Sequence, residues 1–260
     1  VVLGPQRPEP LLVANAEALL FVDDQQPQVL EAHAGLQQPV RADDDVHLAV
    51  GEACECGLRL CVAAESRQQF DAHRIAAMVP DSRKTLKTIY ISQADPDFYF
   101  GAGVLRTSFP DATLIASAPT VKKIRATLPT KLQVWGPRLG ANAPTDVPVP
   151  DVMTGNTITL EGQTLEIRGL DDSLPHRSYV WIPSLKAIVG GVNVFAGLHV
   201  WTADTQSAQE RADWSRKLDA MAALQPATVV PGHMLPAHPQ DASQLAYTHS
   251  YLTRFESELA

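Results

Sequence analysis

Cysteine is scarce in this chain. Its 260 residues include three, Cys54, Cys56 and Cys61, an odd number that cannot all pair. Cys54-x-Cys56 has no second cysteine or histidine pair at a zinc-finger spacing, so the three read as reduced thiols on a hairpin. Basic residues are also in short supply, with 21 Lys and Arg against 29 Asp and Glu and a formal net charge of -8. No run of Lys or Arg is longer than a pair such as Lys122-Lys123, which argues against a surface built to neutralise phosphates and hence against nucleic acid as a partner. Charges or prolines break every apolar stretch before the roughly 20 residues a membrane helix needs, so no membrane span is expected. The chain begins at Val1 with no charged n-region and apolar h-region ahead of it. That is compatible with a removed leader, and the expected setting is a soluble protein of the cytoplasm, or of the periplasm after leader removal.

What is present is alternation. Residues 1–45 are rich in Pro, Gln and Asp, and their one apolar run, Leu11 to Val22, reads as a strand hairpin or an edge segment. Residues 46–260 read as one domain. Its first part, "VHLAVGEACECGLRLCVAAES", suggests two strands around a turn, and "FDAHRIAAMV" puts Phe70, Ile75, Met78 and Val79 on one helical face. "KTIYIS" is a buried strand, "YFGAGVLRTSF" a helix and "ATLIAS" another strand, and Pro119 stands in the first turn of a further helix. The segment from Lys131 to Gly155, dense in Pro, Gly and Asn, is expected to be a long loop. Beyond it come the strands "TITL", "TLEIRGL", "SYVWIPS" and "KAIVGGVNVF". Ser207 and Glu210 have the spacing of a capping box, "ATVVPGHM" is a strand, and Asp241 can cap a terminal helix. The second half thus repeats the plan of the first, which implies two half-sheets packed face to face between outer helices.

The residues most suggestive of chemistry follow a strand end, in "ISQADPDFYFGAG". Loops of that kind carry active sites. Asp95 and Asp97 flank Pro96, and two carboxylates so close either raise the pKa of one or call for a cation. His233 ends "VVPGH", also after a strand. Each residue has a plainer role open to it. Asp97 can cap a helix that starts near Phe98, His233 can be a hydrogen-bonded loop histidine, His199 can pack with Trp201, and Phe98, Tyr99 and Phe100 can be core or pocket wall.

"TIYISQADPDFYFG", "LPHRSYVWIPSLKAIVGGVNVF", "LHVWTADTQ" and "VVPGH" occur in an order that resembles the metallo-β-lactamase fold superfamily, with the likeness running from about His47 to the C-terminus. The resemblance implies a four-layer αβ/βα sandwich of α/β class. The family motif, His-x-His-x-Asp-His, would place Gln93 and Asp95 at its first two histidines, Asp97 at its aspartate and Phe98 at its last histidine. Leu174 falls about where another histidine ligand is expected, with His176 two residues away. Val192 takes the place of the metal-bridging aspartate, and His233 keeps the final histidine. Phenylalanine, leucine and valine offer no donor atom, so no dinuclear centre is expected. At most one divalent metal, zinc or similar, would be held by Asp95, Asp97 and His233, with His176 or Asp171 open as a further donor.

Two functions follow. In the first, the protein is a hydrolase of small esters, lactones or amides: a single ion, or an Asp/His pair, activates water, with Asp95, Asp97 and His233 as the catalytic set. Tyr99, His176 or Arg177 would position the substrate carbonyl, and Gln93, Phe98 and His199 would complete the substrate-binding residues. In the second, the metals have been lost and the cleft binds a small molecule without turnover. Fold alone does not choose between them.

Overall fold

The computed structural model of the chain describes residues 11–14, 19–23, 48–50, 61–63, 68–82, 84–235 and 238–259. Its strands form two five-stranded sheets and a small hairpin. In the first sheet, β1 (Leu11–Ala14) and β2 (Leu19–Asp23) make an antiparallel hairpin against β5 (Thr85–Ile91). The parallel strands β6 (Thr113–Ala116) and β7 (Asp151–Val152) continue it. The Leu11 to Val22 run is therefore a hairpin that extends this sheet. The second sheet runs β12 (Thr228–Met234), β11 (Ala187–Ala196), β10 (Tyr179–Ile182), β9 (Gln163–Arg168), β8 (Thr157–Leu160). The short pair β3 (Leu48–Val50) and β4 (Cys61–Ala63) matches the two strands expected there; Cys54 and Cys56 lie outside the described residues.

Period-two burial explains the layering. Along β10, Tyr179 and Trp181 face the apolar cluster under the helices, while Val180 and Ile182 face a second cluster between the sheets. Val229 and Val230 of β12 divide in the same way, as do Ile89 and Tyr90 of β5. A strand covered on both faces needs apolar residues at every position, and all ten residues of β11 are buried. Helices α1 (Gln68–Asp81), α3 (Ala102–Ser108) and α4 (Ala118–Leu139) accompany the first sheet, and α5 (Ala208–Ala223) and α6 (Ser243–Leu259) pack on β11 of the second. The result is the expected αβ/βα sandwich. Among the described residues no helix is long and apolar enough to cross a membrane.

The ends of these helices follow local chemistry. Ser207 Oγ accepts the Glu210 amide at 3.2 Å while Glu210 Oε2 accepts the Ser207 amide at 3.0 Å, the reciprocal capping box read from the sequence. Asp241 Oδ1 accepts the Ser243 amide at 2.8 Å where α6 starts. One expectation fails. The segment from Lys131 is not loop at its start, because α4 runs on to Leu139 through Pro129 and Pro137. Leu128, Leu132, Trp135 and Leu139 recur at helical spacing and pack against the core. That apolar stripe outweighs the backbone hydrogen bonds the prolines remove.

The two half-sheets meet at one edge. Ser178, just before β10, donates its hydroxyl to the Ser92 carbonyl at 2.8 Å and accepts from the Tyr90 hydroxyl at 2.8 Å. Gln93 and Arg177 form an antiparallel bridge beside it. Close approach here depends on glycine: a Cβ on Gly232 of β12 would collide with the Gly191 carbonyl carbon, and one on Gly191, at φ +54°, would enter the Gln93 amide.

A candidate active site at the edge where the half-sheets meet

After β5 the chain turns through Ser92 and Gln93 into α2 (Pro96–Tyr99), a single turn with Pro96 at its start. Asp95 occupies the N-cap position but makes no side-chain capping bond, and Asp97 lies within the first turn. The capping role considered for Asp97 is thus not observed. Its Oδ2 stands 3.1 Å from His233 Nε2 at the end of β12, so one residue from each half-sheet contributes to this contact. Phe195 stacks on the His233 ring at 4.9 Å and Phe98 meets it edge-on at 6.3 Å. These aromatic walls hold the imidazole against Asp97.

Asp95 points elsewhere. Lys131 Nζ is 3.9 Å from its Oδ1 and 3.1 Å from Asp204 Oδ1. Burial pushes the Asp95 carboxyl up to about 6, opposed by the Arg177 charge and assisted by Asp97 and Asp204. Tyr99, wholly buried, has its phenol raised by burial first and then by Asp95 and Asp97. It forms the inner wall together with Phe98 and Phe100, as the apolar reading of this stretch anticipated.

The other expected site residues are spread along this edge. Arg177 is 2% exposed, and its guanidinium carbon lies 4.4 Å over the Trp214 ring. Burial lowers its pKa, while Asp95, Asp204, Glu210 and Asp97 hold it up. Gln93 commits its amide Nε2 to the Ser178 carbonyl at 2.8 Å. Burial holds His176 down at about 4, reinforced by Lys123, Arg177 and Lys217, so its imidazole is neutral at pH 7. His199 does not pack with Trp201. Its Nδ1 is 3.0 Å from the Tyr251 hydroxyl of α6, a helix that folds back over this loop, and Trp201 instead donates to Asp204 at 3.0 Å. Leu174 and Val192, at two positions where the resemblance implied ligands, are core residues.

Two residues that sequence reasoning passed over organise this edge. Trp214 of α5 donates Nε1–H to the Asn193 carbonyl at 2.9 Å, setting its ring beneath Arg177. Lys217, one turn on, donates to the carbonyls of Leu174 at 2.8 Å and Arg177 at 2.5 Å and pairs with Asp172 at 3.1 Å. Their spacing, Trp214 with Leu218 and Lys217 with Met221 on one helix, was the available signal, but a lysine inside an apolar stripe reads as a solvated residue until its partners are known.

No family model matches the sequence, and no curated protein matches it. Solved structures do. A metallo-β-lactamase from Pontibacter korlensis superposes with a TM-score of 0.52 at 14% identity, covering 94% of this chain and 99% of that one. The fold is that of the metallo-β-lactamases. The DIM-1 metallo-β-lactamase exposed to ceftazidime superposes with a TM-score of 0.50 at 17% identity over 75% of this chain and 80% of that one. TMB-1 does so with the same score and identity over 75% and 81%. Within this metallo-β-lactamase fold the site can be tested for a metal. Among the described residues no three His, Cys, Asp or Glu side chains gather into a group that could hold an ion. Asp97 is engaged with His233, Asp95 faces Lys131, and Phe98, Leu174 and Val192 supply no donor. These residues do not fit a metal centre.

Proposed function

We propose that this protein of the metallo-β-lactamase fold is a hydrolase of small esters, lactones or amides whose water is activated by side chains. The observation that supports this reading best is the 3.1 Å contact of Asp97 with His233, which joins both half-sheets at the edge where Asp95 also sits. In the proposed reaction Asp95 takes a proton from water as the oxygen attacks the substrate carbonyl carbon. Asp97 holds the His233 ring, and Arg177 and Tyr99 help position the carbonyl oxygen. Collapse of the tetrahedral intermediate breaks the bond to the leaving alkoxide or amine, which takes the proton back from Asp95. Gln93, Phe98, His176 and His199 would contribute to the binding surface. The partner is then a small molecule, and no step passes through an ion.

A second reading, binding without turnover, is favoured by one observation. Arg177 Nη1 and Nη2, Gln93 Oε1, Asn193 Oδ1 and the Tyr99 hydroxyl are buried and have no hydrogen-bond partner among the described residues, and such groups call for a bound water or ligand. A panel of p-nitrophenyl esters and simple lactones tests both. Loss of a general base costs about 10² to 10⁴ in rate, so Asp95→Asn should be folded and nearly inactive, and Asp97→Asn should be impaired. Equal background rates in wild type and both variants, unchanged by a chelator, would eliminate the hydrolase for these substrates and leave the binding reading.

A further inference from the structure

Single apolar residues at a surface are ordinary, so an exposed ring points to a ligand only where something fixes it beside a site. Of the four tryptophans, three have covered rings. Trp181 and Trp214 are buried, and the Arg138 guanidinium carbon lies 5.1 Å over Trp135. Trp201 is 51% exposed, and among the described residues no other ring or cation stacks on it.

The loop that carries Trp201, between β11 and α5, is fastened on both sides of the ring. On one side Tyr247 donates its hydroxyl to the Leu198 carbonyl at 2.9 Å, His199 meets Tyr251, and Val200 is buried in the core. On the other, Arg211 Nη1 donates to the carbonyls of Thr205 at 2.9 Å and Gln206 at 2.7 Å. The indole N–H donates to Asp204 Oδ2 at 3.0 Å, Asp204 Oδ1 accepts from Lys131 at 3.1 Å, and Lys131 stands 3.9 Å from Asp95. This chain of polar contacts ties the indole to the acid of the candidate site. Lys131 is shared between Asp204 and Asp95, so these charges answer one another. The feature left without a partner is a flat apolar ring.

We propose that Trp201 determines specificity at this edge: its indole face takes an uncharged, flat aromatic group of the ligand, whose polar end reaches Asp95. The inference rests on the reading of this edge as the place where a small molecule binds, with or without turnover. Stacking is favoured because the loop has already ordered the ring, so little side-chain freedom is lost on binding.

The test uses the full chain and p-nitrobenzyl alcohol, which carries the ring of the p-nitrophenyl esters and has no ester bond to hydrolyse. Binding is followed by NMR titration of the tryptophan indole N–H signals and of the loop amides, the Trp201 indole signal being the one missing from Trp201→Phe. In wild type that signal should shift. The probe should bind more tightly than cyclohexylmethanol, which has no flat face, and more tightly than tetramethylammonium, a cation. Trp201→Leu keeps an apolar side chain without a flat face; its Tm should match wild type, and it should bind the probe about 3- to 10-fold more weakly, the scale of an aromatic pair beyond its buried area. Trp201→Phe should stay within about twofold of wild type. The proposal is overturned by an unmoved Trp201 signal, by cyclohexylmethanol or tetramethylammonium binding as tightly as the probe, by Trp201→Leu binding as wild type does, or by Trp201→Phe falling as far as Trp201→Leu. A wild type that binds the probe as expected but hydrolyses no ester would refute the hydrolase reading alone.

Discussion

Replacing Trp214 by phenylalanine probes the packing that positions Arg177. The indole is fully buried and donates its only N–H to the Asn193 carbonyl at 2.9 Å. Phenylalanine cannot donate, and an acceptor buried without its partner costs about 1–3 kcal/mol. The smaller ring also leaves a void of about 40 Å³, worth about 1 kcal/mol at the usual cost per unit of cavity volume. The stacking with Arg177 survives on a phenyl face in weakened form. The sum is a loss of about 3 kcal/mol in unfolding free energy. Trp201→Phe is the matched control. Its ring is 51% exposed and its N–H bond to Asp204 is at the surface, where water replaces the lost partner, so the change should stay within about 0.5 kcal/mol. Urea unfolding of the three proteins, with the slope m shared so that the midpoints report stability, measures both. A Trp214→Phe loss below about 1 kcal/mol, or a Trp201→Phe loss as large as that of Trp214→Phe, would refute the reasoning.

Two further outcomes are expected. Ser207→Ala removes the acceptor of the Glu210 amide at the start of α5 and should cost about 1 kcal/mol by chemical denaturation, with Ser207→Thr close to wild type; an alanine variant as stable as wild type would show that the cap is dispensable. Burial pulls the Lys217 pKa down to about 8, with Asp172 opposing. The unfolded chain, with an ordinary lysine near 10.4, therefore binds the proton that the folded state has released between those values. Stability from this group then rises with pH across that window and is lowest below it. The unfolding free energy of wild type minus that of Lys217→Met should accordingly grow between about pH 8 and pH 10, and a difference that is flat or shrinks with pH would contradict the assignment.

Much of this architecture was legible in the chain itself. The apolar runs of β5, β10 and β11 and the Ser207 and Glu210 spacing are local signals, since each depends only on residues a few positions apart and on the period of a strand or helix. The order of motifs was enough to indicate the fold and to pair Asp97 with His233. Other features required the tertiary structure. That α4 survives Pro129 and Pro137 depended on what Leu132, Trp135 and Leu139 could bury against. That His199 meets Tyr251 depended on where α6 lies. The sequence singles out Arg177 as a candidate for positioning the substrate but presents Lys217 as an ordinary charged residue. Only the bridge of Gln93 to Arg177, together with the placement of α5 beside it, buries the Arg177 guanidinium over Trp214 and the Lys217 ammonium among carbonyls, because a side chain's surroundings are set by distance in space and local periodicity carries no record of them.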